Sequence, residues 1–567
     1  MCEVGGFFPF GPAGGLPPPV PVEEELREDA LRDEGLRVVR WTGKDLDDVG
    51  PPRNASAKPD FTHPGCVQGR QGAYHRRRVD RPDPRRPDPG RGGEATMSTA
   101  QRVTVLGAGL TGLFTALLLA RDGHRVTVLE RDPAEPPEPG AAWEAWQRRG
   151  CGQFRLPHHM LPRFRHLLEA ELPDVAEGLL AAGALRYNVL AELPAAVSGG
   201  CSATDDRFTT LTARRAVLEA VVARAAAGQE GVAVRRGSAV RALLTEPSRT
   251  GVPHVTGVAS ADGLELRGDL VVDATGRGSP LPALLAEAGA PAPAEEQDEG
   301  GYVYYCRHFA GPGPKPPLRG PLQQWYDSVT ILTLPADNGT WSVVVVASSH
   351  DRQLRALREP ERWTAAVRSY PLVAPWTEAG PITGVDAFGG PGDRLRRLVV
   401  DGSPVVTGLL AIGDAAAYSN PSLGRGASIG LLHAVALREL LRATDGADPH
   451  EVATRWAEDT ATAVEPWFWS TVATSRSRRA EIEADRTGTP AAPDDRWAIA
   501  KAMAAGTAKD PDVLRMQLEI AGMLALPTEV LAREGAVERV LAAGGGAPRY
   551  PLPGPDRAGL LAAAGVA

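Results

Sequence analysis

The stretch Val103-Thr-Val-Leu-Gly-Ala-Gly-Leu-Thr-Gly-Leu-Phe114 decides how the chain is interpreted. A run of strand-forming residues enters a glycine turn, and an apolar helix follows. In such a turn the first glycine permits a tight bend, the second lets a phosphate approach the backbone, and the third lets helix and strand pack closely. The helix N-terminus then faces the negative charge of the ligand. The stretch therefore predicts a site for the diphosphate of a dinucleotide, formed by Gly107, Ala108, Gly109, Leu110, Thr111 and Gly112.

The segment that follows supports this prediction. Arg125–Leu129 has the composition of a second strand, and Glu130 stands at its end, 18 residues after Gly112. An acidic residue at this place accepts a hydrogen bond from a ribose hydroxyl. Arg131 beside it is a candidate contact for a ribose 2′-phosphate, and the alternative is that it is a solvated surface residue. Strand, glycine turn, helix and second strand together predict a βαβ unit.

Length, composition and charge limit the other possibilities. The chain has 567 residues, a length typical of two to four domains, and 43% of them are hydrophobic. The net charge of -8 argues against non-specific binding to nucleic acid or acidic membranes. Five scattered cysteines without a C-x-x-C pair predict neither a disulfide framework nor a metal site. We therefore predict a cytoplasmic protein with small-molecule partners, no nucleic-acid partner and no membrane span, whose oligomeric state is unknown from the sequence.

The first 96 residues differ from the rest of the chain. Residues 70–93 are rich in arginine and proline and almost free of apolar residues, which predicts a largely disordered N-terminal extension. Met97 leads directly into the strand before the glycine turn. The alternative hypothesis is therefore that translation starts at Met97 and that residues 1–96 are not translated; the intact mass of the protein made from its own gene distinguishes the two.

Hydrophobic periodicity predicts the secondary structure of the remainder. One set of segments is predicted to form an antiparallel group, and a second set forms a separate sheet whose hairpin turns at Asn338-Gly339, a pair that tolerates positive φ. The antiparallel group comprises Val255–Ser260, Leu264–Arg267 and Leu270–Asp273; the separate sheet comprises Tyr302–Phe309, Val329–Leu334 and Trp341–Ser348; further strands are Val232–Leu244, Leu398–Val400 and Val405–Ile412; and the helices are Thr111–Arg121, Ala213–Ala227, Gly426–Arg442 and most of Glu451–Leu541.

These elements predict an α/β fold with four parts after the extension. Residues 97–300 form the first part of a Rossmann-like nucleotide-binding domain with a mixed sheet, and residues 398–445 form its second part. Residues 301–397 form an inserted antiparallel sheet that binds the substrate. Residues 446–567 form a helical C-terminal region.

Three later segments indicate which dinucleotide is bound. Leu270-Val-Val-Asp-Ala-Thr-Gly276 is a strand that enters a glycine turn, and Leu410-Ala-Ile-Gly-Asp414 ends a strand about 130 residues later. The carboxylate of Asp414, next to Gly413, is placed to accept from a ribityl hydroxyl. The helix that begins in the turn after Pro421 offers backbone amides to a flavin ring where it gathers negative charge when reduced, and those amides belong to Gly424, Arg425, Gly426 and Ala427.

In this order the motifs resemble the FAD-dependent monooxygenase and oxidoreductase superfamily with the p-hydroxybenzoate hydroxylase type of fold. Its relatives include flavin halogenases and geranylgeranyl reductases, and the resemblance spans about residues 97–442. The resemblance implies FAD as cofactor and Pro421 above the isoalloxazine. Arg215-Ala-Val-Leu-Glu219 is similar to the family's Arg-x-x-Leu-Glu, whose arginine lies on the FAD; Arg214 is the alternative if the register shifts by one residue.

The chain also departs from the family. Aromatic hydroxylases carry Asp-Gly where this chain has Asp273-Ala, which puts the usual nicotinamide contact in doubt. The Trp-x-Trp-x-Ile-Pro motif of halogenases is missing. The resemblance therefore implies a monooxygenase that uses NAD(P)H and O2 to hydroxylate or epoxidise a hydrophobic small molecule in specialised metabolism. The alternatives are a flavin reductase or dehydrogenase of a prenyl-like or polyene substrate without oxygen insertion, and a flavin-binding protein without turnover.

The catalytic candidates lie after the βαβ unit, in Gly152-Gln-Phe-Arg-Leu-Pro-His-His-Met-Leu-Pro162, where family members place a loop beside the flavin. Arg155 is a candidate partner for flavin or substrate charge. His158 and His159 are candidates for a proton relay, because imidazole titrates near neutrality. Their structural alternatives are a helix cap and a solvated side chain. Candidate pocket residues in the middle sheet are Tyr304, Arg307, Trp325 and Trp341, which packing of the sheet explains equally well.

Overall fold

Five parallel strands form the sheet that carries the glycine turn. The protein is described from a computed structural model that covers residues 99–248, 251–298, 300–390, 392–546 and 550–566. The predicted N-terminal extension, residues 1–96, lies outside the described residues. With strands numbered in chain order, the parallel sheet has the order β19 (Leu409–Ala411), β9 (Leu270–Asp273), β1 (Arg102–Leu106), β2 (Arg125–Glu130) and β5 (Val232–Arg236).

The strands are β1 (Arg102–Leu106), β2 (Arg125–Glu130), β3 (Leu185–Tyr187), β4 (Thr210–Thr212), β5 (Val232–Arg236), β6 (Val240–Pro247), β7 (Pro253–Ser260), β8 (Glu265–Arg267), β9 (Leu270–Asp273), β10 (Ala294–Gln297), β11 (Tyr302–Ala310), β12 (Gln323–Trp325), β13 (Val329–Pro335), β14 (Thr340–Ser348), β15 (Asp386–Gly390), β16 (Arg394–Arg397), β17 (Val399–Val400), β18 (Ser403–Pro404), β19 (Leu409–Ala411) and β20 (Ala417–Tyr418).

The α-helices are α1 (Leu110–Arg121), α2 (Ala142–Ala145), α3 (Pro162–Glu171), α4 (Pro173–Ala181), α5 (Val189–Glu192), α6 (Ala195–Ser198), α7 (Arg215–Gly228), α8 (Leu281–Glu287), α9 (Pro360–Arg368), α10 (Gly426–Ala443), α11 (Pro449–Ala463), α12 (Glu465–Thr487), α13 (Asp495–Gly506), α14 (Pro511–Ala521), α15 (Pro527–Leu531), α16 (Ala536–Gly544) and α17 (Arg557–Ala563). Short 3-10 turns include Gly276–Gly278, Gly413–Ala415 and Pro421–Leu423.

The βαβ unit is formed as the sequence predicts, but the assignment of Leu270–Asp273 to the antiparallel group is wrong. This segment, β9, lies between β1 and β19 and pairs with both in parallel. Leu270 and Val272 pack with helices on one face of the sheet, whereas Val271 packs with β6 and β7 on the other. A strand covered on both faces is a continuous apolar run, whatever the direction of its neighbours, so the pattern alone could not assign it.

The predicted strand Val232–Leu244 is two strands in the structure. β5 belongs to the parallel sheet, and β6 belongs to the antiparallel sheet β6-β7-β8. The chain changes sheets at Gly237, whose φ of +73° is in the left-handed region that favours glycine. The predicted strand Val405–Ile412 is shorter in the structure, with β19 limited to Leu409–Ala411.

The predicted separate sheet forms an antiparallel layer of five strands in the order β12-β13-β14-β11-β15. Its β13–β14 hairpin turns at Asn338 and Gly339, with φ of 52° and 68°, and the Thr340 N–H donates to the Asp337 carbonyl. Both observations confirm the predicted hairpin. One face packs against α9 and the C-terminal segment, and that face carries Arg307 and Trp341.

The opposite face of this sheet, which we call the inner face, is the one turned toward the loop that carries His158. Tyr304, Cys306, Leu332, Val344 and Val346 form it, and they pack with Leu156, Phe388 and Ile482. Of the four predicted pocket residues, only Tyr304 therefore belongs to the inner face cluster. Trp325 instead contacts Trp497 of α13, at 4.8 Å between ring centroids.

A buried ion pair links the antiparallel sheet to the nucleotide-binding sheet. The Arg214 guanidinium, just before α7, binds the Asp337 carboxylate at 2.7 Å, and the Arg214 N–H also donates to Asp337. Asp337 is completely buried. In the turn beside it, the Asn338 N–H donates to the Gly183 carbonyl after α4. The hairpin is thus fixed to the nucleotide-binding half at its tip.

No helix in the described ranges combines the length and apolar character that crossing a bilayer requires. Within the same ranges, no three His, Cys, Asp or Glu side chains form a group that could hold a metal ion.

Candidate functional site

The glycine turn has the geometry that its sequence predicts. Gly107 has a φ of +99°, and a Cβ on it would lie 2.7 Å from the Ala274 carbonyl oxygen. A Cβ on Gly112 would overlap the Gly107 carbonyl oxygen, which is why helix α1 can approach β1 so closely only with glycine there. Gly109 differs from both, because among the described residues the only atom within 4 Å of its Cβ position is a nitrogen of Arg148, 3.8 Å away.

Glu130 lies at the end of β2 and faces the turn. Its carboxylate accepts from the Ala108 N–H at 2.9 Å and from the Asp132 N–H at 3.0 Å. It also forms a buried ion pair with Arg148. The same guanidinium therefore lies above Gly109 and binds Glu130, at the place where a phosphate would approach the backbone.

Arg148 belongs to a chain of buried charges that continues to the loop of the catalytic candidates. Its second ion pair is with Glu219 of α7, whose other oxygen accepts from the Arg215 Nε at 2.6 Å. Burial alone would raise the pKa of the Glu219 carboxyl, but the two guanidinium groups outweigh burial and lower that pKa. The order along the network is Glu130, Arg148, Glu219, Arg215 and His158.

His158 ends this network. Its Nδ1 lies 2.8 Å from the Leu156 carbonyl oxygen and its Nε2 lies 3.3 Å from the Arg215 Nη1. A carbonyl accepts and a guanidinium donates, so Nδ1 carries the proton and the Nε2 lone pair is the acceptor. Burial, reinforced by Arg215, lowers the pKa of His158 to about 3. The imidazole is therefore neutral at physiological pH, unlike the near-neutral titration expected from the residue type.

His159 and Arg155 face away from the network. His159 packs edge-on against Tyr187, and burial lowers its pKa to about 4. Arg155 donates to the Trp143 and Trp146 carbonyl oxygens, and its guanidinium lies 4.6 Å from the Trp143 ring centroid. Both side chains hold the loop in the described structure, and His159 is neither the helix cap nor the solvated side chain of the structural alternatives.

Asp414 follows Gly413 in the turn after β19. Its side chain is half-buried, and no donor among the described residues forms a hydrogen bond with its carboxylate. Burial raises the pKa of this carboxyl, and Arg215, Arg394 and Arg277 partly offset the shift. A carboxylate that faces three cations and lacks a donor is suited to accept from a ligand hydroxyl.

The turn before α10 has the predicted shape but not all the predicted contacts. Gly424 has a φ of +67°, which favours glycine, and Pro421 is exposed. Arg425 turns away from the site, because its guanidinium donates to the Trp467 carbonyl and to the Thr471 Oγ1 of α12. At the N-terminus of α10, a ligand could thus contact Arg425 only through its backbone, together with Gly426 and Ala427.

The two remaining arginine candidates have structural partners. Arg131 is exposed and donates to the Gly150 carbonyl, the arrangement of a surface residue that holds a loop. Arg214, the alternative to Arg215, is committed to Asp337. Arg215 is the one of this pair that lies in the charged network.

Arg148 is the site residue that the sequence does not reveal. It follows Trp146 in an irregular segment between α2 and Gly150, without periodicity or a motif. Only folding brings it above Gly109.

These residues fit FAD. Gly109 leaves room for a phosphate, buried arginines at the turn supply positive charge, Asp414 has a free acceptor, and the N-terminus of α10 is free of side-chain caps. Beside that helix, the Tyr304 hydroxyl donates to the Asn420 Oδ1, which also accepts from the Ser422 N–H, so the inner face of the sheet is joined to the turn at Pro421. The diphosphate of FAD and its isoalloxazine ring therefore both have matching surfaces in this protein.

The charged contacts of Glu130 lead to a first prediction. Glu130→Ala is expected to weaken FAD binding by about 1 to 3 kcal/mol, because a charged hydrogen bond to the ribose and the fixed position of the Ala108 N–H are both lost. Titration of the apoprotein with FAD, followed by fluorescence, measures this change. Glu138→Ala removes an exposed carboxylate and serves as control. FAD affinity equal to that of the wild type would contradict the assigned role.

Comparison with known proteins indicates FAD, as the geometry of the site does. A family model described as FAD dependent oxidoreductase matches residues 102–146. Protein Rv3254 of Mycobacterium tuberculosis is 27% identical over 401 residues, which is 65% of this chain and 79% of that protein. The chloroplastic zeaxanthin epoxidase of Oryza sativa subsp. japonica is 30% identical over 184 residues, 31% of this chain and 25% of the epoxidase.

A solved structure shows the same fold. The flavoprotein/dehydrogenase from Cytophaga hutchinsonii superimposes with a TM-score of 0.52 at 16% identity, covering 78% of this chain and 98% of that one. The resemblance of the sequence depended on the glycine turn, the Asp273-Ala-Thr-Gly276 turn and the Gly413-Asp414 segment, and the family model matches the first of these. The chain therefore matches FAD dependent oxidoreductases over its glycine turn, and its fold is that of the Cytophaga hutchinsonii flavoprotein/dehydrogenase.

Proposed function

We propose that the protein is an FAD-dependent monooxygenase that uses NAD(P)H and O2 to hydroxylate or epoxidise a hydrophobic small molecule. For hydroxylation the balance is substrate C–H, O2, NAD(P)H and one proton to C–OH, NAD(P)+ and water. Epoxidation has the same balance with an alkene as the oxygen acceptor. When bound, FAD supplies two-electron transfer from NAD(P)H and the activation of O2.

The observation that carries this proposal is the apolar inner face of the antiparallel sheet opposite the turn at Pro421. Tyr304, Leu332, Val344 and Val346 are all buried there. A substrate pocket lined by this face would select ligands by apolar contact and offer few ionic contacts. It also excludes water, which protects a reactive oxygen species from unproductive decay.

Three ionisable groups near this face, Tyr304, His158 and His159, stay uncharged, which suits oxygen transfer. Burial raises the pKa of the Tyr304 hydroxyl well above its usual value, and burial keeps His158 and His159 neutral. A reductase of an isolated double bond needs an acid that delivers a proton to substrate carbon, a role for which none of these three groups is tuned. Epoxidation requires no such acid at the substrate.

The cofactor roles follow from the contacts described above. We assign the diphosphate to the backbone of residues 107–112 with Arg148 and Arg215, the adenosine ribose to Glu130, the ribityl chain to Asp414, and the ring to Pro421 and the amides of residues 424–427. The partial match to an enzyme named zeaxanthin epoxidase supports oxygen insertion into an apolar molecule.

Labelled oxygen gives the decisive test. Purified protein loaded with FAD is screened with apolar candidate substrates for stimulation of NAD(P)H oxidation, and the reaction is then run under 18O2. We expect a product heavier by one 18O atom. A reduced product without label would establish the reductase alternative instead, and protein that retains FAD but oxidises NAD(P)H with no ligand-dependent stimulation would establish flavin binding without turnover.

A further inference from the structure

The Asp273 carboxylate lies at the place of the family's Asp-Gly motif, and all its hydrogen bonds are formed within its own turn. One oxygen accepts from the Thr275 N–H at 2.9 Å and from the Thr275 hydroxyl, and the other accepts from the Ser279 hydroxyl. Asp273 is also almost completely buried. This carboxylate is therefore unable to reach a second nucleotide, and another group must bind one.

Two arginines beside this turn form no ion pair with any described residue, although both lie near the Asp414 carboxylate. Arg277 is exposed in the 3-10 turn Gly276–Gly278, and Arg394 begins β16. The Arg394 Nη2 donates to the Arg277 carbonyl at 2.9 Å, so the two residues are neighbours. Neither forms an ion pair in the described ranges, and the buried Arg394 Nε has no hydrogen-bond partner at all. An unpartnered buried N–H of a cation is a place where an anion or a water molecule can bind.

Two aromatic rings flank the pair. The Arg277 guanidinium lies 5.8 Å from the ring centroid of Tyr418 and 6.0 Å from that of Phe388. Tyr418 is the direct cross-strand partner of Arg394 between β20 and β16. Phe388 also lies against the loop of the catalytic candidates, since a Cβ on Gly152 would be 3.7 Å from its ring. Two guanidinium groups next to two rings match a ligand that combines phosphates with aromatic bases.

We propose that Arg277 and Arg394 bind the diphosphate of the nicotinamide nucleotide that reduces the flavin, in place of the contact that Asp273 is unable to make. This inference rests on the proposed use of NAD(P)H. A resident cofactor is held by buried cations, and Arg148 and Arg215 already provide these at the glycine turn. NAD(P)H instead arrives from solvent and leaves in every cycle, and an exposed cation raises the rate at which it associates with the protein.

The test compares Arg277→Gln with Arg241→Gln, which removes an exposed arginine on β6 and changes the net charge equally. Three quantities are measured: FAD affinity of the apoprotein, binding of ADP-ribose to the FAD-loaded protein, and the NAD(P)H concentration that half-saturates anaerobic flavin reduction. ADP-ribose carries the diphosphate without the nicotinamide. Arg277 is exposed, so its replacement is compatible with folding; Arg394→Gln, checked for an unchanged melting temperature, is the second variant.

For Arg277→Gln we expect ADP-ribose binding and NAD(P)H half-saturation both weaker by about tenfold or more, the scale of one charged hydrogen bond, with FAD affinity unchanged. Arg241→Gln is expected to match the wild type. The inference is overturned if the wild type fails to bind ADP-ribose, if Arg277→Gln binds it as well as the wild type, or if only FAD affinity falls, which would assign the pair to FAD. Arginine-dependent ADP-ribose binding in a protein that never oxidises NAD(P)H would uphold the diphosphate site and refute the proposed function.

Discussion

Glu219→Gln is expected to lower the free energy of unfolding of the apoprotein by about 3 to 5 kcal/mol, the scale for removing one partner of a buried ion pair. The carboxylate is 1% exposed and is the only group that binds both Arg148 and Arg215 in the described network. Its loss leaves two buried guanidinium groups with one fewer negative charge between them. Chemical denaturation of FAD-free protein measures the effect.

Glu177→Gln, on the exposed side of α4, is the matched control and should change stability by less than about 0.5 kcal/mol. Saturating FAD should recover part of the loss in Glu219→Gln, because a diphosphate above Gly109 brings negative charge back to Arg148. Equal destabilisation of the two variants would show that the network is not a source of stability. Absence of any recovery with FAD would contradict the assignment of Arg148 to the diphosphate.

The same carboxyl gives a pH dependence with a definite sign. The pKa of Glu219 is lowered in the folded protein, so its ion pairs contribute stability above the ordinary pKa of glutamate. That contribution is lost as the pH falls through the lowered value. The wild type should therefore lose stability relative to Glu219→Gln on acidification below about pH 4.3, and parallel stability curves for the two proteins would contradict this.

Asp414→Ala is expected to give protein that binds FAD about 10- to 150-fold more weakly and purifies with much less FAD per chain. The expected loss is one charged hydrogen bond to a ribityl hydroxyl, worth about 1.5 to 3 kcal/mol. The Asp414 carboxylate accepts no hydrogen bond from the described residues, and its backbone contact to Arg394 survives the substitution, so the fold should tolerate the change.

FAD per chain is measured as the ratio of the absorbance of the flavin band, at about 450 nm, to that of the protein band, at about 280 nm. FAD titration of the apoprotein measures affinity. Asp459→Ala, on the exposed surface of α11, is the control. Full occupancy and wild-type affinity in Asp414→Ala would refute the assignment of the Gly413-Asp414 segment to the ribityl chain.

Local patterns predicted the parts of this protein whose geometry is local. The glycines at 107 and 112 are required by contacts within a few residues of the turn or in the adjacent strand, and the Asn338-Gly339 hairpin depends on backbone angles of two residues. The position of Glu130 follows from the length of β2. In the hairpin, at Gly112 and at Glu130 the constraint acts over a distance in sequence that a motif can record; Gly107 is also limited by the distant Ala274, but its φ of +99° is a local constraint.

Long-range contacts could not be predicted in the same way. Arg148 acquires its role from Glu130 and Glu219, residues on different elements. The residue type of His158 indicates titration near neutrality, but its burial beside Arg215 lowers its pKa far below that range. Neighbouring positions on β11 face opposite sides, so Tyr304 and Arg307 lie on different faces of the sheet, and only the packing shows which face is turned toward the loop.

The buried ion pair between Arg214 and Asp337 has a mechanical consequence. It fixes the hairpin tip to the start of α7, so a hinge rotation that separates the two sheets would expose a buried charge on each side, at a cost of several kcal/mol. We therefore expect ligand entry and release to depend on short-range motion of segments such as the one around Gly152. The two sheets are expected to move as a single rigid block.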